Sequence, residues 1–459
     1  MYQIDFNKKI HIHFIGIGGI SMSGLAELLL SKGFTVSGSD MKEGDLTRML
    51  SSLGADVHYP QAAENITDDI DLVVMTAAIR EGNPELAEVR KRNLPVLTRA
   101  ELLGQVMQHY ELPVAVAGTH GKTTTTSMLS EILLKADADP TISVGGMLHS
   151  INGNFRVGGD RYFVTEACEY TNSFLSFFPK IGIILNVDAD HLDFFKDLDD
   201  IRQSFRRFAA LLPSDGTLIM NGQDAGFKAI TDGLSCNIVT FGMDSSSDWY
   251  PTDISYDEFA HPSFTLNHKG EEIGRVSLHV PGEHNVGNAC AAAAAAHILG
   301  IDMTPALKAL SEFHGTERRF EKKGEFNGIT VIDDYAHHPT EIKATLEAAA
   351  HYPHKTLWCV FQPHTYTRTK ALLPEFAEAL THAENVILAD IYAARETDTL
   401  GISSENLAEE INKLGGNAYY FGSFEEIEKF IHEHCINGDL LITMGAGDVY
   451  KVGTDLLGE

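Results

Sequence analysis

Short apolar runs of strand length alternate with longer stretches of helical period along the whole chain, and most of the runs stop at glycine or at chemistry-bearing polar residues. Residues 114–117 are such a run. They end in Gly118-Thr119-His120-Gly121-Lys122-Thr123 and give way to a segment with Met128, Leu129, Ile132 and Leu133 at helical spacing. Residues 9–16 read as a strand entering Gly16-Ile17-Gly18-Gly19-Ile20-Ser21, followed by a helix carrying Met22, Leu25, Leu28 and Leu29. Residues 34–38 end at Ser39-Asp40, and residues 71–75 at Thr76-Ala77-Ala78-Ile79. Further strands are predicted over 161–165, 181–185, 329–332, 357–361, 385–389 and 439–443. The alternation predicts parallel sheets covered by helices, an α/β class. Three units are expected: a Rossmann-like unit over 1–111, a phosphate-loop unit over 112–322 and a second Rossmann-like unit over 323–459. The charged, glycine-bearing run 320–328 is the expected hinge.

Ligands of open α/β sheets bind at the carboxyl ends of the strands, so the strand ends carry the candidate chemistry. Strand, glycine loop, Lys-Thr and helix together cradle a nucleoside triphosphate, with backbone N–H groups and the helix N-terminus facing the phosphates. Lys122 would neutralise the β/γ-phosphates and the Thr123 hydroxyl would ligate Mg²⁺. The loop is the short G-T-x-G-K-T-T form, because Val116 stands where the commoner pattern has glycine. Glu166 closes the 161–165 strand and suits Mg²⁺, which needs one or two protein oxygens besides phosphates and waters. His191 is a candidate for a second metal or for orienting a water. Glu169, Asp188 and Asp193 are further acidic groups delivered to this edge; the plainer alternative is helix capping or surface charge, which is at least as good a reading for Asp193. Gly16, Gly18 and Asp40 have the spacing of a dinucleotide site, although Ser21 replaces the third glycine. Asn285 and Asn288 open an alanine-rich helix, where amides either cap or meet an adenine edge. Arg318 and Arg319 lie where they either reach phosphates across a cleft or are solvated. Asp333-Asp334-Tyr335-Ala336-His337-His338 and Gln362-Pro363-His364-Thr365-Tyr366-Thr367-Arg368 end two later strands, and Asp390 leads to Ala394-Arg395-Glu396. The histidine pair lacks acidic or cysteine partners at ligand spacing, so substrate contact is the expected role of His337 and His338.

Composition narrows the class. The formal charge is −29 over 459 residues, which disfavours non-specific binding to nucleic acid or an anionic membrane. Five cysteines, at 168, 236, 290, 359 and 435, form no C-x-x-C pair, so neither a disulfide framework nor a zinc site is expected, and a reducing cytoplasm is. The longest apolar run, 289–296, falls far short of the ~20 residues that span a bilayer. The N-terminal sequence lacks the pattern of a signal peptide.

Seven stretches together resemble the Mur ligase family, whose members join amino acids to UDP-linked muramic acid. They are GIGGISMSGLA at 16–26, GTHGKTTTT at 118–126, EACEYTNSF at 166–174, ADHLD at 189–193, GEHNVGN at 282–288, DDYAHHPTE at 333–341 and QPHTYTRTK at 362–370. The resemblance covers the whole chain. It implies that the first unit binds the UDP of a sugar substrate rather than NAD, through Gly16, Gly18, Gly19, Asp40 and Thr76. It assigns ATP to Gly118, Thr119, His120, Gly121, Lys122, Thr123 and Thr124, with Asn285 and Asn288 on the adenine side, Arg319 as a further contact and Asp334 near the ribose. Metal positions would be Thr123, Glu166 and His191; alanine positions would be His337 and Arg368; and the catalytic set would be Lys122, Glu166, His191 and His337. The implied reaction is ATP- and Mg²⁺-dependent addition of L-alanine to the lactyl carboxylate of UDP-N-acetylmuramate through an acyl phosphate, in peptidoglycan precursor synthesis. The alternative is a recycling ligase that attaches a tripeptide to the same sugar nucleotide. No nucleic acid or membrane partner is implied, and the chain would act as a monomer or homodimer. Two departures stand out: no lysine lies between Lys196 and Lys228, where several family members carry a carbamoylated one, Phe205-Arg206 being there instead; and Thr365 replaces an arginine found in some members. Rival readings are an NAD-dependent oxidoreductase, which leaves the loop 118–123 without a purpose, and a non-catalytic nucleotide-binding protein.

Overall fold

A computed structural model describes residues 2–458 except 77, 193, 395, 398 and 399. Asp193 and Arg395 therefore lie outside the described residues. The chain forms three sheets, each α/β as the alternation predicts. The first contains β1 (His11–Ile15), β2 (Thr35–Ser39), β3 (Asp56–His58), β4 (Leu72–Met75) and β5 (Val96–Thr98), all parallel in the order β3-β2-β1-β4-β5. Register is level across its centre: Ile15 faces Met75, and Met75 faces Thr98. Gly16, Thr76 and Arg99 are thus each the first residue past the carboxyl end of adjacent strands.

The second sheet comprises β6 (Leu112–Ala117), β7 (Thr141–Leu148), β8 (Gly153–Arg156), β9 (Tyr162–Glu166), β10 (Ile181–Ile184), β11 (Thr217–Asn221), β12 (Asn237–Phe241), β13 (Trp249–Tyr256), β14 (Pro262–His268) and β15 (Glu271–Ser277). Its centre, β11-β10-β6-β9-β7, is parallel. These strands are covered on both faces, so they read as continuous apolar runs such as the buried Ile-Gly-Ile-Ile of β10. The helix Glu283–Ile298 is buried along its alanine face and packs on the helix Lys122–Lys135; alanine side chains let the two backbones approach.

The third sheet holds β16 (Glu321–Phe326), β17 (Ile329–Asp334), β18 (Leu357–Phe361), β19 (Asn385–Leu388), β20 (Ala418–Tyr420) and β21 (Leu440–Met444), in the order β16-β17-β21-β18-β19-β20. The run expected as a hinge is therefore mostly strand: β16 pairs antiparallel with β17 from Glu321 onward, and residues 321 and 322 belong to the third sheet rather than the second unit. An edge strand tolerates charge on its open side, which is why the run reads as a loop. The chain turns earlier, through left-handed backbone at Gly315 (φ 94°), Arg318 (φ 59°) and Phe320 (φ 50°).

Candidate active site

The glycine loop is built by close approach. Gly118 has φ 144°, and a Cβ there would lie 2.9 Å from Leu185 Cβ; Gly121 has φ 83°, and a Cβ there would lie 2.7 Å from Asn288 Oδ1. Asn186, just past β10, pins the loop from both sides: its Oδ1 accepts from His120 N at 2.8 Å, and its Nδ2 donates to His120 O at 3.1 Å. Asp188 N donates to Thr119 Oγ1 at 2.9 Å. The second strand end thus shapes the first.

Lys122 starts the helix and folds back over the loop. Its Nζ donates to Gly118 O at 2.5 Å, Thr119 O at 3.1 Å and Glu169 Oε2 at 3.0 Å. Burial works against the ammonium charge, but Glu169, Cys168 and Glu166 outweigh it and hold the lysine above its ordinary range. Glu169 is buried and is the partner of Lys122, not a cap or a surface charge: it makes no side-chain cap bond at the start of the short helix Tyr170–Ser176. His191 Nε2 lies 3.8 Å from Glu169 Oε1, with its ring 4.6 Å from that of Tyr170. Glu166 Oε1 accepts from Gly145 N at 2.5 Å.

The third sheet brings its strand ends to the same place. His120 lies between Asp188 of the second unit, at 3.4 Å, and Glu341 of the third, at 3.1 Å. Burial disfavours its charge, yet hydrogen bonds to Asp188 and Glu341 prevail and raise it to about 9. Asp188 is therefore an ion-pair partner, where sequence allowed a cap or surface charge. Glu341 is held well below the usual carboxylate range against burial by His337, His120 and Arg319. Arg368 donates to Asp190 Oδ1 from Nε at 3.2 Å and Nη2 at 3.1 Å, joining third and second units again.

The two adjacent histidines part company. His338 caps the helix Pro339–Ala350: its Nδ1 accepts from Thr340 N at 3.3 Å and its Nε2 donates to Ala189 O at 3.2 Å. Both ring nitrogens are used, so His338 is a structural tie between units and not the substrate contact expected. His337 Nδ1 faces Tyr335 O at 3.0 Å. A carbonyl only accepts, so Nδ1 carries the proton and Nε2 the lone pair. Burial pushes this imidazole down to about 4, leaving it neutral at pH 7.

Two cavities lie along these contacts. One, of about 430 Å³, is lined by His120, Gly121, Thr124, Asn285, Asn288, Arg319, Asp334 and Glu341, among others; it gathers most of the expected ATP residues. Asn285 and Asn288 are hydrogen-bonded to each other at 3.0 Å at its wall. Asp334 accepts from Phe320 N and Ala336 N, and burial lifts it to about 6. Arg318, by contrast, is fixed to Asp333, Gly445 O and Gly447 O, so only Arg319 of the pair faces the cavity. The other cavity, of about 510 Å³, is lined by Tyr170, Asp190, His191, His364, Thr365, Arg368 and Glu396, among others. His337 lines neither, but its ring meets His364 edge-on at 5.9 Å.

On the first sheet, Gly18 N donates to Asp40 Oδ2 at 2.8 Å, so Asp40 shapes the glycine turn directly. Gly16 has φ 84°, and a Cβ there would lie 2.9 Å from Thr76 Cγ2. Gly19 precedes the helix Ile20–Ser31 in extended conformation. Phe205 is fully buried and Arg206 bonds the carbonyls of Ala229, Ile230 and Asp232, so the region without the lysine is structural.

Among the described residues, no three His, Cys, Asp or Glu side chains gather as a metal cage. Mg²⁺ on a triphosphate does not require one. The Thr123 hydroxyl is buried on the first helical turn beside the phosphate loop, and Glu166 ends the strand adjacent to β6. These hard oxygen donors fit that ion.

Family models described as Mur ligase family, catalytic domain; Mur ligase middle domain; and Mur ligase, glutamate ligase domain match residues 11–111, 116–296 and 318–447. The chain belongs to the Mur ligase family. A protein of Lachnospira eligens named UDP-N-acetylmuramate–L-alanine ligase is 62% identical to this Mur ligase over 458 residues, covering 100% of both chains. Among solved structures, UDP-N-acetylmuramate-alanine ligase MurC from Thermotoga maritima superposes with a TM-score of 0.81 at 31% identity, covering 98% of each chain. A murein peptide ligase from Psychrobacter arcticus gives 0.71 at 29%, also over 98% of each. Sequence reading of this Mur ligase missed Asn186, Glu169 as a lysine partner, and Glu341. Asn186 and Glu341 were visible only as polar residues inside motifs.

Proposed function

We propose that this chain is an ATP-dependent ligase joining L-alanine to the lactyl carboxylate of UDP-N-acetylmuramate, acting in the cytoplasm in the synthesis of peptidoglycan precursors. The observation that carries the reading is the meeting of second and third units at His120–Glu341 and Arg368–Asp190, with a nucleotide-sized cavity on one side and a second cavity containing Arg368 on the other. Among the described residues no helix is long and apolar enough to cross a membrane.

A carboxylate is a poor acyl donor. One lactyl oxygen attacks the γ-phosphorus of ATP, the bond to ADP breaks, and an acyl phosphate forms. The amine of L-alanine, having lost its proton, attacks the carbonyl carbon; the carbon–oxygen bond to phosphate breaks and an amide remains. Positioning and charge neutralisation are what phosphoryl transfer demands. Lys122 supplies a fixed cation, and loop N–H groups at the start of the helix Lys122–Lys135 receive the phosphates. Mg²⁺, when bound, offsets charge on the phosphates; Thr123 and Glu166 would hold it, with His191 the candidate for a second ion beside the sugar carboxylate. Asn285 and Asn288 present amides to the adenine, Asp334 faces the ribose, and Arg319 adds positive charge. Arg368 takes the alanine carboxylate. His337, whose ring meets His364 of the second cavity edge-on, is the candidate alanine contact beside Arg368.

The second cavity has more room than a methyl-bearing amino acid fills, which keeps a tripeptide substrate as the second reading. The mechanism is tested by labelling the lactyl carboxylate with ¹⁸O. One label should appear in released phosphate, detected by mass spectrometry. Unlabelled phosphate would overturn the acyl-phosphate route.

A further inference from the structure

Arg99 is the first residue of the helix Arg99–Met107 and follows β5 directly. Among the described residues its guanidinium has no hydrogen-bond or ion-pair partner, although this chain carries 64 acidic side chains. It is partly buried: burial works against its charge, and Cys168 and Glu166, across the junction with the second unit, act on it only in part compensation. A partly desolvated guanidinium without a counter-ion is ready to take an anion that arrives with a ligand.

Register fixes where that anion lies. Gly16, Thr76 and Arg99 are consecutive across one sheet edge, and Gly16 and Thr76 were assigned to the sugar nucleotide. The other neighbour, Glu166, is the proposed Mg²⁺ acid of the phosphate loop. The helix is fixed against the second unit: a Cβ at Gly104 would lie 1.8 Å from Ser176 O, so only glycine allows this approach. Arg99 therefore lies at the sheet edge that carries Gly16 and Thr76, within electrostatic reach of Glu166 beside the phosphate loop.

Resting on the function proposed above, we propose that Arg99 binds the lactyl carboxylate of the sugar nucleotide, and the acyl phosphate formed from it, holding the nucleophile beside Glu166. It is the counterpart of Arg319, whose guanidinium lines the nucleotide cavity without a hydrogen-bond partner among the described residues. Its nearness to Glu166 favours the reacting end of the substrate over the diphosphate. A planar fork matched to a carboxylate also explains an arginine rather than a lysine.

The test compares calorimetric binding of UDP-N-acetylmuramate, UDP-N-acetylglucosamine (which lacks the lactyl group) and MgATP to the intact chain and to its Arg99→Met and Arg99→Lys variants. The proposal expects Arg99→Met to weaken UDP-N-acetylmuramate roughly ten- to hundred-fold, with UDP-N-acetylglucosamine and MgATP unchanged and Arg99→Lys intermediate. Equal loss for both sugar nucleotides would assign Arg99 to the diphosphate and overturn the proposal. Unchanged binding, or loss of MgATP as well, would overturn it too. An unsubstituted chain that does not prefer UDP-N-acetylmuramate would instead overturn the function on which the proposal rests.

Discussion

His120 of the phosphate loop and Glu341 of the third unit face each other at 3.1 Å, 221 positions apart in sequence. One of the two residues between the loop glycines thus also holds the third unit in place. His120 is surrounded by Asp188 and Glu341, with His338 and His284 also near. Its folded value of about 9 lies above its ordinary 6.5. The docking it contributes is therefore complete below about pH 6.5 and is lost as pH rises through about 9. Protease sensitivity of the ligand-free chain should rise between pH 7 and 9.5, and His120→Asn should flatten that rise. A pH-independent profile for the unsubstituted chain would contradict the assignment.

Lys122 is expected to serve phosphoryl transfer and not sugar binding. Lys122→Met should lower kcat by about 10²–10³-fold and leave UDP-N-acetylmuramate affinity within about twofold. Steady-state kinetics and calorimetry on the same preparation check this. A variant with unchanged kcat would remove the loop from the chemistry.

Asp190 is buried against Arg368. Arg368 holds that carboxyl below the usual carboxylate range in spite of burial, with His191 and His338 contributing. Asp190→Ala leaves the arginine buried without a counter-charge, which costs about 3–5 kcal/mol and should appear as a lowered Tm. Arg368→Lys, which keeps the charge but loses the fork, should raise KM for L-alanine at least about tenfold with KM for ATP unchanged.

Asp40 accepts the Gly18 N–H that sets the first glycine turn. Asp40→Ala should weaken sugar-nucleotide binding by about 1.5–3 kcal/mol, the range for a hydrogen bond to a charged group. Calorimetry with UDP-N-acetylmuramate reads it, and MgATP binding serves as the control.

The strand-loop-helix units were legible because local pattern dictates them: apolar runs stop at glycines that the backbone needs, as at Gly16, Gly118 and Gly121. Residues whose function depends on a distant partner were not. Glu169 reads as a cap until Lys122, 47 positions earlier, is found against it. Asp188 and Glu341 acquire meaning only from His120. His337 and His338 are equivalent in sequence, yet helix capping claims one and leaves Nε2 of the other without a hydrogen-bond partner among the described residues. The run 320–328 misleads because an edge strand exposes charge as a loop does. Arg99 carries no motif signal; its interest comes from the absence of a hydrogen-bond or ion-pair partner for its guanidinium among the described residues.

The most direct measurement is phosphate release from MgATP in the presence of UDP-N-acetylmuramate, comparing L-alanine with the L-Ala–D-Glu–diaminopimelate tripeptide. The account predicts release that requires both the sugar nucleotide and L-alanine, and stops when Mg²⁺ is chelated. Release with the tripeptide alone, or no amino-acid-dependent release at all, would contradict it.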